Sequence, residues 1–387
     1  MRVITSTADL QNACDELAKS SFVAVDTEFM RETTFWPILC LIQMASPDLE
    51  VIVDPLAPGL DLAPFHALMM NEGVVKVFHA ARQDVEIVFA QTGKVPKPVF
   101  DTQVAAMVCG FNESVSYVNL VKKVTGLDLD KSSRFTDWSR RPLTLGQLTY
   151  ALADVTHLRD VYKFLVAEMA AGKRTEWVGE EMAELMQVST YQTLPEDAWK
   201  RLKLRVKNRK ALAILIELAA WRERLAQGQN VPRGRILRDE ALFDIANQAP
   251  TTADKLSELR TLSDGFARSA RAKEILDAVK RGIERDPKTV PPLTVSAPIS
   301  AEATATVELL KVLLKAAAAR HRVAPRLIAD NDELELIASD AVGDVRTLTG
   351  WRRIVFGEDA LRLKQGHLAL TLMRGEVVAI AAEPVGA

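Results

Sequence analysis

An apolar run, Phe22-Val23-Ala24-Val25, leads straight into two acids, Asp26 and Glu28. A run of that length and composition reads as a buried strand. Carboxylates at its end must sit at the edge of the core or hold something positive. Two more acids stand in comparable settings, Asp84 in VFHAARQDVEIV and Asp154 in YALADVTHL. Four converging carboxylates without a cation would repel one another and resist desolvation. Divalent metal removes that conflict and suggests a reaction, in-line hydrolysis of a phosphodiester by two metals.

The local spacings permit convergence. On a strand, Asp26 and Glu28 point to one face and Thr27 to the other. Asp84 falls early in a helix, where the N-terminal dipole favours negative charge. Tyr150 precedes Asp154 by four residues and shares its helix face. Each piece alone is weak, since DxE recurs by chance and YxxxD is usually a surface helix face. Ordered together, they predict one pocket built from three segments.

The 387 residues allow two to four domains. The formal net charge is −2, so a nucleic-acid partner would have to be met by local charge. Cys14, Cys40 and Cys109 show no CxxC spacing, which argues against a disulfide scaffold or a cysteine zinc site. No basic-then-apolar leader is visible, and no uncharged apolar run approaches the roughly 18 residues that span a bilayer. A soluble, cytoplasmic protein without a membrane partner is expected.

Strands and helices alternate in the first half. Ser6 or Thr7 caps a helix running to about Lys19. Strands are expected at Phe22 to Val25, Ile38 to Ala45, Val51 to Val53 and Val74 to Phe78, with helices at Asp61 to Met70 and Ala80 to Gln91. After these the chain is expected to be mostly helical, through Leu145 to Ala171 and beyond. From Trp199 the composition shifts. WKRLKLRVKNRK holds seven basic residues and no acid. DPKTVPPLTVSAP reads as an extended linker. The last segment starts helical and ends in two alternating runs, LALTLM and EVVAIAA. It is similar in length to the segment before it, which leaves a diverged duplication open.

The strings AVDTEFMRETTFWPILCLIQ, VFHAARQDVEIV, FDTQVAA and DKSSRFTDWSRRPLTLGQLTYALADV resemble the tyrosine-bearing branch of the DEDD exonuclease superfamily, and within it the bacterial ribonuclease D family. Lys207 to Gly282 resembles an HRDC domain, and the last segment fits a second, degenerate one loosely. The resemblance implies an α/β ribonuclease H-like exonuclease domain, a mixed sheet flanked by helices, over residues 1–200. Two small all-α HRDC-type domains would follow, over 206–286 and 299–387. It implies that Asp26 bridges two ions of Mg²⁺ or Mn²⁺, that Glu28 and Asp154 complete the site of the metal that activates water, that Asp84 holds the second metal, and that Tyr150 orients the water. The histidine branch carries histidine five residues before its last aspartate; Thr149 stands there in this chain.

An exonuclease must hold a strand end. Lys131, Arg134, Arg140 and Arg141 cluster before the Tyr150 helix and are expected to meet phosphate, with His79 as a further substrate contact. Trp138 is expected in the core. Asp101 is expected to cap the helix that follows it. The resemblance implies a monomeric 3′-5′ exoribonuclease that releases 5′-mononucleotides and trims the single-stranded 3′ ends of precursor tRNA and other small structured RNAs. Two alternatives stay open, a DNA 3′-5′ exonuclease of the same superfamily and a non-catalytic RNA-binding adaptor.

Overall fold

The computed structural model describes the chain except residues 1–2, 112, 131–135, 204, 264, 267–268, 294–299, 340–344 and 384–387. Its first part holds six strands, β1 (Val3–Ile4), β2 (Phe22–Met30), β3 (Ile38–Ala45), β4 (Glu50–Val53), β5 (Val75–Phe78) and β6 (Val99–Asp101). They form one mixed sheet in the order β1-β4-β3-β2-β5-β6. The β2-β3-β4 meander is antiparallel, while β1 pairs parallel with β4, β5 with β2, and β6 with β5.

Eight helices flank the sheet: α1 (Thr7–Leu17), α2 (Ala63–Met70), α3 (Arg82–Thr92), α4 (Thr102–Val108), α5 (Tyr117–Thr125), α6 (Leu145–Thr156), α7 (Leu158–Ala171) and α8 (Thr175–Leu185). Local chemistry sets their ends. Ser6 accepts from the Asp9 amide to start α1. Gly93, in the left-handed region at φ 69°, stops α3. Thr144 and Gln147 form a reciprocal capping box at the start of α6.

The period-two alternation of β2 divides the core. Val23 and Val25 face a cluster that includes Leu10 and Leu17 of α1, Phe65 of α2 and Val85 of α3. Phe22 and Ala24 face the opposite cluster, with Leu120 of α5, Val161 of α7 and Met182 of α8. The strand is longer than its apolar run suggests, because pairing with β3 continues through Asp26 and Glu28 to Met30. Pairing with β5 stops at Ala24. The acids therefore lie on ordered backbone beyond the end of one neighbouring strand. Residues 145–171 are helical as expected, in two helices that join at His157. Strand β1, two residues long, had no periodic signal to betray it.

Two further units follow. In the first, α9 (Arg209–Gln229), α10 (Arg233–Ile236), α11 (Asp239–Gln248), α12 (Ala253–Ser257) and α13 (Ala270–Glu284) surround their own apolar cluster. The second repeats the opening of this pattern in α14 (Ala301–His321), α15 (Pro325–Ile328) and α16 (Asn331–Ala338). The starts of the three matching helices are each 92 positions apart. Each long helix has 21 residues and ends at a left-handed cap, Asn230 or Arg322. The last unit then adds a hairpin, β7 (Leu368–Met373) and β8 (Glu376–Ala381), where the two alternating runs stand.

Candidate active site

Asp26 and Glu28 continue the row begun by Phe22 and Ala24, so they emerge on the face that α6 covers. Asp154, two residues before the end of the capped helix α6, meets them there. One carboxylate oxygen from each of Asp26, Glu28 and Asp154 lies within 4.8 Å of the other two. All three residues are half-buried.

Asp84 comes from the other face. It is the third residue of α3, is 6 % exposed, and accepts a 2.5 Å hydrogen bond from the hydroxyl of Thr27. Thr27 does point away from Asp26 and Glu28, as the alternation requires, and there it meets Asp84. The sequence offered a signal for this pair, since a helix packed on the Val23 and Val25 face must also cover position 27. Asp84 thus stands beside the group of three and held apart from it.

The electrostatics follow from crowding. Burial pushes the Asp26 carboxyl well above its ordinary range, and repulsion from Asp154, Asp84 and Glu28 adds to this. Burial, then Asp154 and Asp84, pushes Glu28 up to about 8. Burial pushes Asp154 up to about 7. Asp84 also rises to about 7 by burial, against the lowering effect of the Thr27 hydroxyl. A site that penalises its own ionisation this strongly is matched to positive charge. The donors are oxygens only, the set preferred by hard divalent cations.

Tyr150 lies one turn before Asp154, and its ring stacks on Trp138 at 6.2 Å between centroids. Trp138 is buried with Cys40, Leu41, Ile52 and Ala151, as expected for a core anchor. Tyr117 fixes the same helix from the other side by donating to the Ala153 carbonyl at 2.8 Å. Asp101 does more than cap α4. Its carboxylate accepts from Gln103 and also from Ala80 and Ala81, which form the turn into α3. Ala80 holds a left-handed φ of 60°, strained for a residue with a side chain, and this double anchor keeps it there.

The expected substrate contacts fare differently. Lys131 and Arg134 lie outside the described residues. Arg140 is exposed and pairs with Asp137 at 3.0 Å. The Arg141 guanidinium forks onto Asp54 and also bonds the carbonyls of Trp138, Arg140 and Cys40, so it ties the loop to the sheet. His79 contacts the Thr102 hydroxyl at 3.0 Å and packs on Tyr117. Burial pushes its pKa down to about 4, so it is neutral near pH 7.

The sequence matches the 3′-5′ exonuclease family over residues 1–170 and the HRDC domain over residues 211–279. It is 54 % identical to ribonuclease D of Nitrobacter hamburgensis over 380 residues, covering 98 % of this chain and 99 % of that relative. The chain belongs to the ribonuclease D family. Ribonuclease D of Bartonella henselae is 46 % identical, with 97 % of this chain and 93 % of the relative covered. The crystal structure of Escherichia coli RNase D, described as an exoribonuclease involved in structured RNA processing, superimposes with a TM-score of 0.82. The match is 28 % identical and covers 94 % of this chain and 98 % of that one. The likeness to ribonuclease D extends through both C-terminal units. Among the described residues no helix is long and apolar enough to cross a membrane.

Proposed function

We propose that this 3′-5′ exoribonuclease removes 5′-mononucleotides from the 3′ ends of precursor tRNA and other small structured RNAs. The observation that carries the reading is the meeting of Asp26, Glu28 and Asp154 within 4.8 Å, with Tyr150 one turn before the last of them. Asp26, which feels the charges of Asp154, Asp84 and Glu28 together, would hold both of two ions, Mg²⁺ or Mn²⁺. Glu28 and Asp154 would complete one ion's ligands, and Asp84 would serve the other. When bound, such ions lower the pKa of water and neutralise charge on the phosphate and the leaving 3′ oxygen.

The chain's own residues supply position. Trp138 holds the Tyr150 ring so that its hydroxyl can orient the attacking water. Thr27 holds the Asp84 carboxylate, and Asp101 fixes the turn that aims α3. Arg140 is suited to meet phosphate, as are Lys131 and Arg134. Arg141 keeps that loop in place, and neutral His79 packs on Tyr117 beside the Thr102 hydroxyl.

The last unit reads as a diverged second HRDC domain over 299–387, from the constant 92-residue offset of its first three helices. The first spans 206–286 and the exonuclease domain 1–200. A cytoplasmic monomer accords with the composition.

The test uses RNA and DNA of one sequence, each labelled at the 3′ end, with Mg²⁺, Mn²⁺ or EDTA. Release of labelled 5′-mononucleotide from RNA, abolished by EDTA, supports the reading. Preference for DNA would point to a repair or proofreading exonuclease. No hydrolysis with any metal would point to an RNA-binding adaptor.

A further inference from the structure

Between residues 198–202 and helices α9 to α11 of the HRDC domain lies an open groove of about 430 Å³. Its walls include Arg201, Arg222, Arg233, Arg238, Asp239 and Glu240. Two of the four guanidiniums are committed. Arg233 forks onto Glu223, at 2.5 and 2.6 Å. Arg222 donates to the Leu237 carbonyl and to Asp239 at 2.6 Å. Arg222 is nonetheless only 4 % exposed, and its buried Nε has no partner. Among the described residues the other two form no ion pair. Arg201 reaches the Thr193 hydroxyl and no carboxylate, and Arg238 has no side-chain partner.

Arg238 is also the N-cap of α11, a ten-residue helix, and offers no side-chain acceptor to the first amides. The start of a helix with uncapped amides attracts anions. Here it opens into a groove already lined by two unpaired guanidiniums and a buried, incompletely bonded third. Glu240 is the one acid in the wall without a partner. Burial and then Arg233 act against the charge of Arg201, and Glu223 and Glu86 offset them in part.

We propose that this groove is a phosphate subsite for the RNA backbone, upstream of the nucleotide being removed. The inference rests on the exoribonuclease reading above. Planar guanidiniums suit a tetrahedral oxyanion because each can present two parallel N–H groups. Backbone phosphate fits better than a free nucleotide, since no aromatic ring lines the groove for a base to stack on. The position fits as well. Arg201 and Arg233 also line a smaller cleft with Arg31 and Glu86, and Glu86 lies on α3 two residues after Asp84. Arg31 pairs with Glu86 at 2.8 Å. This cleft sets Arg201 and Arg233 beside α3, the helix that carries Asp84.

The test compares full-length wild type with Arg201→Gln, Arg238→Gln and the double variant. Affinity for a fluorescent structured RNA with a single-stranded 3′ tail is measured by anisotropy in EDTA across a salt series. Hydrolysis of a dinucleotide with Mn²⁺, too short to reach the groove, is measured in parallel. The double variant should bind RNA about tenfold more weakly at moderate salt. Its log-log salt slope should shrink by about one for the lost phosphate contact. Dinucleotide turnover and the melting temperature should stay at wild-type values, and Arg201→Lys should recover part of the affinity. Unchanged RNA affinity and slope would overturn the proposal, as would an equal loss on the dinucleotide. Stabilisation of the wild type but not the double variant by inorganic phosphate, with RNA affinity unchanged, would also overturn it by assigning the groove to a free anion. If wild type fails to hydrolyse either substrate, the nuclease reading falls, and the binding arm still judges the groove.

Discussion

Helix α9 of the HRDC domain packs against its own α11 and α13, whereas its counterpart α14, 92 residues later, is buried in one apolar cluster with the exonuclease domain. The difference is visible in the residues. Leu212, Leu215 and Leu218 of α9 share their cluster with Leu242 and Ile275 from the same unit. Leu310, Leu313 and Leu314 of α14 share theirs with Val108, Leu120 and Leu165. The polar joints differ in the same way. Arg174 donates to the carbonyls of His321 and Arg322 and so closes the end of α14 from outside its unit. The Ala324 amide donates to Met107, Trp177 stacks on Trp351 at 4.8 Å, and buried Arg352 pairs with Glu181. The HRDC seam is thinner. Asn230 accepts from the amides of Phe35 and Trp36, and Arg233 lies over the Phe35 ring.

Charge follows the same division. The HRDC segment 206–286 carries 16 basic and 12 acidic residues, and the last segment 299–387 carries 11 and 12. One repeated helical pattern has thus been fitted to two tasks. One copy keeps a core of its own and a positive surface. The other gives its apolar face to bracing α4, α7 and α8, the layer behind the carboxylates.

The largest effect should come from the brace. Arg352→Met leaves Glu181 buried without its partner, which costs about 3–5 kcal/mol. Calorimetry should show the exonuclease transition falling together with the last unit. An exonuclease transition that stays in place would break the comparison.

Metal and pH should sharpen it next. The four site carboxyls are raised in the folded protein, so the folded state holds protons that the unfolded chain releases near pH 4. Their contribution to stability is therefore present at low pH and lost as pH rises through about 7 to 8. In EDTA, the exonuclease transition should move to lower temperature between pH 5.5 and 8.5. Added Mn²⁺ should raise it more at pH 8 than at pH 6, since a hundredfold excess over its dissociation constant stabilises by about 2.7 kcal/mol and that constant is smaller at the higher pH. The last unit should follow this shift and the HRDC domain should not. A metal response that is the same at both pH values would contradict the assignment of these four groups.

Two glycines give a smaller, paired test. A Cβ at Gly282 would meet the Ile214 backbone at 2.5 Å, inside the HRDC core. A Cβ at Gly110, whose φ is +84°, would meet the Arg322 carbonyl at 2.6 Å, across the brace. Alanine at either should cost about 1–3 kcal/mol. Gly110→Ala should lower thermal tolerance of dinucleotide hydrolysis, and Gly282→Ala should spare it. The smallest effect belongs to Arg140→Ala. The Arg140 side chain is 84 % exposed, so stability should change by less than about 0.5 kcal/mol while RNA affinity falls.

Much of this was legible in the sequence. The alternation of β2 put Asp26 and Glu28 on one face, the spacing of α6 put Tyr150 with Asp154, and Trp138 was expected in the core. Local patterns carry that information because a strand or helix repeats it along its own length. The joints are different. The apolar stripe of α14 shows that it must be buried, but periodicity does not name the partner. The bond from Thr27 to Asp84 and the double anchoring by Asp101 join residues 57 and about 20 positions apart, so they depend on how β2, α3 and β6 pack. Arg141 was expected at phosphate from charge alone, and the fold gave it Asp54.

The most direct test compares the wild type with Asp26→Asn and Tyr150→Phe on 3′-labelled RNA at saturating Mg²⁺. Loss of nearly all hydrolysis in Asp26→Asn is predicted, with RNA affinity kept. Tyr150→Phe should slow turnover while metal binding persists. Wild-type rates in Asp26→Asn would contradict the account.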